Sequence, residues 1–290
     1  MHENSHCHHL QLPDGRKLSY CDLGHGKNGT WIHCHGIPGS RLELSHVAHE
    51  LTQQGYRVIA PDRPGYGDSS EHPDYSFDQH TKDLHQLADH LGLTQFGLSG
   101  FSGGGVFAMA TAWASGRRVN ALAIAGTPAI PLMHNPFDHA STLTANSWHA
   151  ALNHPVRLIE ELQALTGSTS DLVEALLEAA GASDAYLFAS EPKLRAFRLS
   201  TQTALAQGPA VAAAALVRDT RLVAMPWPFD PKELDLPMHV IHGQHDRLVH
   251  PEHFHTLAKT IGHARCTLDK TKGHYGVLYD NLKSNTLFAY

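Results

Sequence analysis

Short apolar runs alternate with amphipathic helical patterns at both ends of this 290-residue chain. Several of the runs are apolar nearly throughout, which is typical of strands covered by helices on both faces. The alternation therefore predicts an α/β fold with a mostly parallel sheet flanked by helices. The predicted strands are 18–23, 31–34, 56–60, 96–99, 121–125, 238–241 and 264–268, with an antiparallel hairpin of 9–12 and 17–21 at the edge.

The alternation stops after Pro128. No strand is predicted from 131 to 224, but 155–165, 170–180 and 193–206 have helical patterns. Ser168 is a suitable N-cap for the second of these helices, and Gly181 is a suitable stop. The sequence thus predicts an all-helical cap at 131–224, inserted into a core made of 1–130 and 225–290.

Charge and cysteine content exclude several classes of protein. The 22 basic residues are outnumbered by 28 acidic ones, so the chain has no basic surplus for binding nucleic acid. The longest apolar stretch, 211–217, is far shorter than the roughly 18 residues that span a bilayer, so no membrane segment is expected and a cytoplasmic location is predicted. Four scattered cysteines favour reduced thiols over a disulfide framework. The oligomeric state is not predicted.

The segment Gly100-Phe101-Ser102-Gly103-Gly104 lies between an apolar run and a helical pattern. This is the strand-turn-helix context of a nucleophile elbow, in which glycines two residues either side of the serine relieve crowding. Taken alone, the segment is also explained as a flexible glycine-rich turn or as a phosphate cradle, but neither a G-x-G-x-x-G motif nor a Gly-Lys-Ser/Thr pair supports the phosphate cradle. Ser99 is the rival nucleophile, but Phe101 stands where its elbow would need a glycine.

A nucleophilic serine needs a base and an acid that orients the base. Asp246 is the only carboxylate in the loop after the predicted strand 238–241, and His274 lies between glycines on a later loop. Asp246 alone is also explained as a cap for a helix near 251–261. The order Ser102, Asp246, His274, each on a loop after a strand, nevertheless predicts a catalytic triad.

The segment His35-Gly36-Ile37 follows an early predicted strand. The backbone N–H of Ile37 is a natural oxyanion donor beside the N–H of Gly103. We expect His35 to have a structural role beside this loop. The turn at 62–69 lines the same end of the sheet, and a purely structural role is favoured for it.

Together these motifs resemble the α/β-hydrolase superfamily in its capped, esterase-like branch. The resemblance covers 9–130 and 225–290 and is weak in the insertion. It implies an eight-stranded sheet with a helical cap after the sixth strand, nucleophile Ser102, acid Asp246 and base His274. The motifs that carry it are 35–41, 62–69, 100–105, 243–249 and 273–274.

The predicted reaction is cleavage of a small or medium carboxylic ester through an acyl-enzyme, as in a carboxylesterase. The partners are then the ester and water, and the chemistry needs no metal and no cofactor. Relatives that open epoxides or remove halogens use a carboxylate nucleophile, so Ser102 argues against both activities. Relatives that cleave N-terminal proline carry two glycines after the histidine, where this chain has Gly36 and Ile37. A carbon-carbon bond hydrolase of a ring-cleavage product, or a lactonase, is the alternative.

The 25 histidines suggest a second class, a metal-binding protein without catalytic activity. Adventitious surface binding is favoured over a metal site, because neither histidine group has a fixed scaffold. Apart from His274 and His35, the histidines are interpreted as a solubility or charge feature, with His80, His85 and His90 on a solvated helix face. The two groups are His2, His6, Cys7, His8 and His9, and His239, His242, His245, His250, His253 and His255.

Overall fold

The computed structural model describes residues 7–138, 140–280 and 288 of the protein. Its strands are β1 Cys7–Gln11, β2 Lys17–Gly24, β3 Gly29–Cys34, β4 Tyr56–Pro61, β5 Phe96–Phe101, β6 Val119–Ala125, β7 Met238–Gly243 and β8 Arg265–Asp269. Its helices are α1 Ala48–Gln53, α2 Phe77–His90, α3 Gly103–Ser115, α4 Thr142–Asn153, α5 Pro155–Thr166, α6 Thr169–Ala180, α7 Ala182–Phe188, α8 Glu191–Ala204, α9 Pro209–Ala224, α10 Pro251–Thr260 and α11 Gly276–Tyr279.

The strands form one eight-stranded sheet in the order β1-β2-β4-β3-β5-β6-β7-β8. β1 and β2 pair antiparallel as the predicted hairpin, and β2 is also antiparallel to β4. The six strands β4-β3-β5-β6-β7-β8 all pair parallel to one another. Their carboxyl ends therefore meet at one edge of the sheet, which is where open α/β sheets place their ligand sites.

Successive residues of the central strands point to opposite faces of the sheet and feed two separate cores. Ile32 packs with α2, α3 and α10 on one face, whereas Trp31 packs with α1 and α11 on the other. In the same way, Ile124 packs on the face of Ile32 and Ala125 packs on the face of Trp31. This double coverage explains why the strands are apolar nearly throughout.

Helices α4 to α9 lie between β6 and β7 in the chain, where the helical insertion was predicted. Ser168 caps α6 by accepting a hydrogen bond from the N–H of Asp171, as expected. Three of these helices, α4, α7 and α9, were not among the predicted ones. α9 is the longest, and its buried side chains include Ala212, Ala213, Ala215 and Leu216. Because the buried residues of α9 are mostly small and lie on several sides of the helix, the sequence shows no clear amphipathic stripe.

The expectation of four reduced thiols is wrong for one pair. Cys7 and Cys21 stand directly opposite each other in the β1–β2 register and form a disulfide. The antiparallel pairing brings together two cysteines that are 14 residues apart in sequence, which spacing alone does not reveal. Cys34 and Cys266 are free thiols, the first buried and the second exposed.

The interpretation of the histidines as a solvated feature is wrong for several of them. His80 is buried, and its ring contacts the Tyr75 hydroxyl at 2.7 Å and the Cys34 sulfur at 3.5 Å. Burial lowers the pKa of His80 to about 3, so its ring is neutral at physiological pH. His85 is half-buried against the Ser115 hydroxyl, whereas His90 is exposed as expected. Helix periodicity could not anticipate partners contributed by other segments.

Candidate active site

Ser102 stands between the end of β5 and the start of α3, with a backbone φ of +53°. Of the non-glycine residues that the structure describes, Ser102 alone has a positive φ. Such a conformation is costly for a residue with a Cβ and is found mainly at functional sites. Gly100 permits it, since a Cβ there would lie 2.5 Å from the Gly104 carbonyl oxygen.

Ser99, the rival nucleophile, is fully buried within β5. Its hydroxyl lies 2.9 Å from Nδ1 of His33. Nε2 of the same ring lies 2.8 Å from a carboxylate oxygen of Glu43. Ser99 is therefore part of a buried polar network under the sheet edge and has no access to a ligand.

Asp246 follows β7 and is completely enclosed. One carboxylate oxygen accepts hydrogen bonds from the backbone N–H groups of Leu248 and Val249, at 2.9 and 2.8 Å. The other accepts one from Nδ1 of His274 at 2.7 Å. Asp246 does not cap the helix that begins at Pro251; His250 does so. The alternative role considered for Asp246 is thus excluded.

The charges of Asp246 and His274 stabilise each other. Burial raises the pKa of Asp246, but His274 and His242 more than offset this effect and hold it well below 3.8. Burial lowers the pKa of His274, but the carboxylates of Asp246 and Asp184 raise it above 6.5. Asp246 is therefore ionised at every physiological pH, and the imidazolium form of His274 is favoured beside it.

The loop after β3 carries His35, Gly36 and Ile37. His35 is buried, with Nδ1 donating to the carbonyl of Gly36 at 2.8 Å and Nε2 accepting from the N–H of Arg63 at 3.2 Å. These two bonds fix one neutral tautomer, in agreement with the strong lowering of the His35 pKa by burial and by the Arg63 charge. The expected structural role of His35 beside this loop agrees with these contacts.

Arg63 ties the loop to the helices inserted between β6 and β7. Its guanidinium donates to the carbonyl oxygens of His35 and Gly36, at 2.5 and 2.8 Å, and to Asp219 of α9 at 2.7 Å. Both charged side chains are buried. The turn at 62–69 therefore supports the site through this ion pair, in keeping with the structural role favoured for it. Sequence reasoning did not find Asp219, because it lies in a different part of the chain.

A cavity of about 140 Å³ connects these elements. Ser102, His274, Ile37 and Gly103 all line it, and a Cβ added to Gly103 would lie 2.5 Å from Cδ1 of Ile37. The remaining wall is mostly apolar. Leucines of the inserted helices supply much of it: Leu158, Leu162, Leu165, Leu172, Leu176 and Leu216.

A second cavity of about 440 Å³ lies between α4 and α5. It shares Leu143, Ser147, Leu158, Leu162 and Leu165 with the first cavity. The two cavities are therefore adjacent.

With this geometry in place, the comparisons with known proteins identify the family. A family model described as the alpha/beta hydrolase fold matches residues 32–280. The chain belongs to the α/β hydrolase fold family. The predicted fold class and the resemblance to this superfamily are confirmed.

Curated relatives match part of the chain. Bifunctional epoxide hydrolase 2 of Sus scrofa is 35% identical over 126 residues, which are 42% of this chain and 22% of that protein. Lipase 1 of Psychrobacter immobilis is 31% identical over 106 residues, 36% of this chain and 33% of that protein. The chain therefore spans between about a fifth and a third of these two relatives.

Solved structures match nearly the whole chain. A thermophilic esterase from Thermogutta terrifontis has a TM-score of 0.70 at 22% identity, with coverage of 97% of this chain and 94% of that one. A meta-cleavage product hydrolase from Pseudomonas fluorescens has a TM-score of 0.71 at 22% identity, with coverage of 97% and 95%. At these identities the likeness shows the fold alone.

The described residues also bear on metal binding and on membrane insertion. Within 7–138, 140–280 and residue 288, no group of three or more His, Cys, Asp or Glu side chains converges as a metal site. Of the suggested N-terminal metal ligands, His2 and His6 lie outside the described residues. The buried members of the other group have protein partners: His242 contacts the Val249 carbonyl, for example, and His253 accepts from the N–H of Ala129. No helix in the described part of the chain is long and apolar enough to cross a membrane.

Proposed function

We propose that the protein is a serine hydrolase that cleaves a small or medium carboxylic ester through an acyl-enzyme, as a carboxylesterase does. The observation that carries this proposal is the buried 2.7 Å hydrogen bond between His274 and Asp246, at a cavity that Ser102 also lines. A serine, a base and an ionised acid that orients the base are the minimum set for nucleophilic acyl transfer. An epoxide hydrolase would need a carboxylate where Ser102 stands.

In this mechanism His274 takes the proton from Ser102 as its oxygen attacks the ester carbonyl. Asp246 holds the proton on Nδ1, which leaves Nε2 as the base, and it stabilises the imidazolium that forms. The N–H groups of Ile37 and Gly103 stabilise the developing oxyanion, each by about 3 kcal/mol. His274 then activates the water that releases the acyl group. The remaining predicted residues, His35, Gly36, Gly100, Phe101 and Gly104, belong to the elbow and the loop after β3, and none of them lines the first cavity.

We propose that α4 to α9 form a cap over the core and that their leucines select the substrate. The first cavity, at about 140 Å³, is smaller than the roughly 300 Å³ of a typical drug-sized ligand site. Short acyl groups should therefore fit best. Among p-nitrophenyl esters, kcat/KM should be highest for acetate to butyrate and fall for longer acyl chains. A preference for palmitate would contradict this reading of the cavity.

The nucleophile is tested with a fluorophosphonate probe, which labels activated serines. The wild-type protein should be labelled and Ser102→Ala should not. Ser99→Ala is the matched control, since it removes a nearby hydroxyl that the proposal does not use, and it should keep the label. Labelling that persists in Ser102→Ala, or an unlabelled folded wild type, would refute the proposal.

The alternatives are separated by substrate and by chelation. A dienoic ring-cleavage product and a simple lactone, assayed beside the esters, identify a carbon-carbon bond hydrolase or a lactonase if either is turned over faster. Ester turnover should be unchanged by EDTA. Loss of activity on chelation would favour the histidine-rich metal-binding alternative.

A further inference from the structure

One carboxylate of the inserted helices lies directly against the loop of the candidate base. Asp184 belongs to α7, and its side chain is completely buried. Its two oxygens accept three backbone hydrogen bonds, from the N–H groups of His274 at 2.8 Å and of Tyr275 and Gly276 at 3.0 Å. Asp184 therefore holds the main chain at the very residue whose ring Asp246 holds.

We propose that Asp184 is a positioning residue for catalysis, which fixes the His274 backbone from the cap while Asp246 fixes the ring from the core. This inference rests on the proposed function, because it assigns Asp184 a part in the same site. With both ends of His274 held, Nε2 keeps one orientation toward the cavity. The cap then completes the active site as well as covering it.

The neighbouring sequence is adapted to this contact. A Cβ on Gly273 would collide with Oδ2 of Asp184. The glycine before the base is thus required by a residue of α7. Gly276, which follows His274 and Tyr275, donates the third hydrogen bond to Asp184 through its backbone N–H.

The ionised side chain of Asp184 lowers the stability of the folded state at neutral pH. Burial raises the pKa of Asp184 from 3.8 to about 6, and the charge of Asp246 adds to this effect, although His274 and the backbone donors oppose it. The folded state therefore binds a proton more tightly than the unfolded chain, and stability gained below pH 4 is lost as the pH rises through about 6. A buried charge with this penalty is typical of functional sites.

The ionisable groups that face Asp184 come from several elements. His274, Tyr275 and Asp246 lie on the core loops. Arg247 lies beside Gly181, at the start of α7. The Asp184 charge raises the pKa of His274, as does that of Glu43. Removing the Asp184 charge should therefore lower the pKa of His274.

The test compares Asp184→Asn with wild type and with Asp171→Asn, an exposed carboxylate on α6. An asparagine must turn its amide N–H₂ toward at least one backbone N–H, which breaks the cradle. We expect kcat to fall roughly 10- to 100-fold with KM little changed, because a small displacement of a catalytic group has effects of this size. We also expect the acid limb of the kcat/KM profile to move to lower pH. Asp171→Asn should match wild type.

Gly273→Ala separates position from charge. Its Cβ displaces the carboxylate but leaves the protein's charge unaltered, so kcat should fall while the acid limb moves less than in Asp184→Asn. Gly273→Ala also tests the positioning role of Asp184 if the Asp184→Asn protein does not fold. Wild-type kcat and an unmoved acid limb in folded Asp184→Asn, or wild-type kcat in Gly273→Ala, would overturn the inference.

The rate of fluorophosphonate labelling distinguishes this inference from the proposed function. Labelling requires the serine and its base but no particular ester. A labelled wild type with a slower Asp184→Asn supports both proposals. Equal labelling rates overturn only the role of Asp184, whereas an unlabelled wild type overturns the proposed function and this inference with it.

Discussion

Replacing Asp246 by asparagine tests the proposed mechanism at its most constrained atom. One oxygen of Asp246 accepts backbone hydrogen bonds from Leu248 and Val249, at 2.9 and 2.8 Å. An asparagine must keep its carbonyl oxygen toward these two donors. Its N–H₂ group then faces Nδ1 of His274, 2.7 Å away from the replaced oxygen. Volume and shape are almost unchanged by the substitution.

The consequence for catalysis follows from the proton count on the ring. The N–H₂ group of the asparagine donates to Nδ1 of His274, so the ring must carry its own proton on Nε2. A protonated Nε2 cannot accept the proton of Ser102. Selecting the wrong tautomer in a serine triad costs about 10⁴ in kcat. At 1.36 kcal/mol for each tenfold change, this is about 5 kcal/mol of lost transition-state stabilisation.

The assay is steady-state hydrolysis of p-nitrophenyl acetate, with thermal melting to show that the variant is folded. Asp235→Asn, an exposed carboxylate near the start of β7, is the matched control and should retain wild-type rates. A folded Asp246→Asn protein with more than about a tenth of wild-type kcat would refute the tautomer argument. It would mean that another group orients His274.

Two further predictions concern charge. Asp219→Asn leaves the buried Arg63 without its carboxylate. Breaking a buried ion pair in this way should lower the free energy of unfolding, measured by urea denaturation, by about 3 to 5 kcal/mol. A change below about 1 kcal/mol would show that the pair contributes little. His274 must be neutral to act as the base, and its pKa lies above 6.5. We therefore expect kcat/KM to rise with pH from 5 and to level off above neutrality. A profile that is flat down to pH 5 would argue against His274 as the base.

The sequence predicted the sheet well because the relevant signals are local. Each central strand is apolar on both faces, and the elbow around Ser102 and the loops of Asp246 and His274 follow strands. The predicted triad residues line one cavity or contact a residue that does. Their catalytic roles remain a proposal, as does the division into a core and a cap.

The contacts between distant segments were not predictable. In the sequence, nothing distinguishes Asp184 and Asp219 from other helix carboxylates. In the structure, each is buried against a loop of the candidate site. His80 lies off the apolar stripe of its own helix and is nevertheless enclosed by Tyr75 and Cys34. In each case the partner comes from elsewhere in the chain, and a single sequence carries no record of that pairing.

The placement of α4 to α9 between β6 and β7 also has a consequence for folding. The elbow lies before these helices in the chain, whereas Asp246 and His274 follow them. During synthesis, the first six strands can emerge and begin to pair while Ser102, the proposed nucleophile, still has no base. Long-range contacts such as these form late, because closing a large loop is entropically costly. The nascent chain should therefore acquire the proposed esterase activity only when β7 and β8 join the sheet.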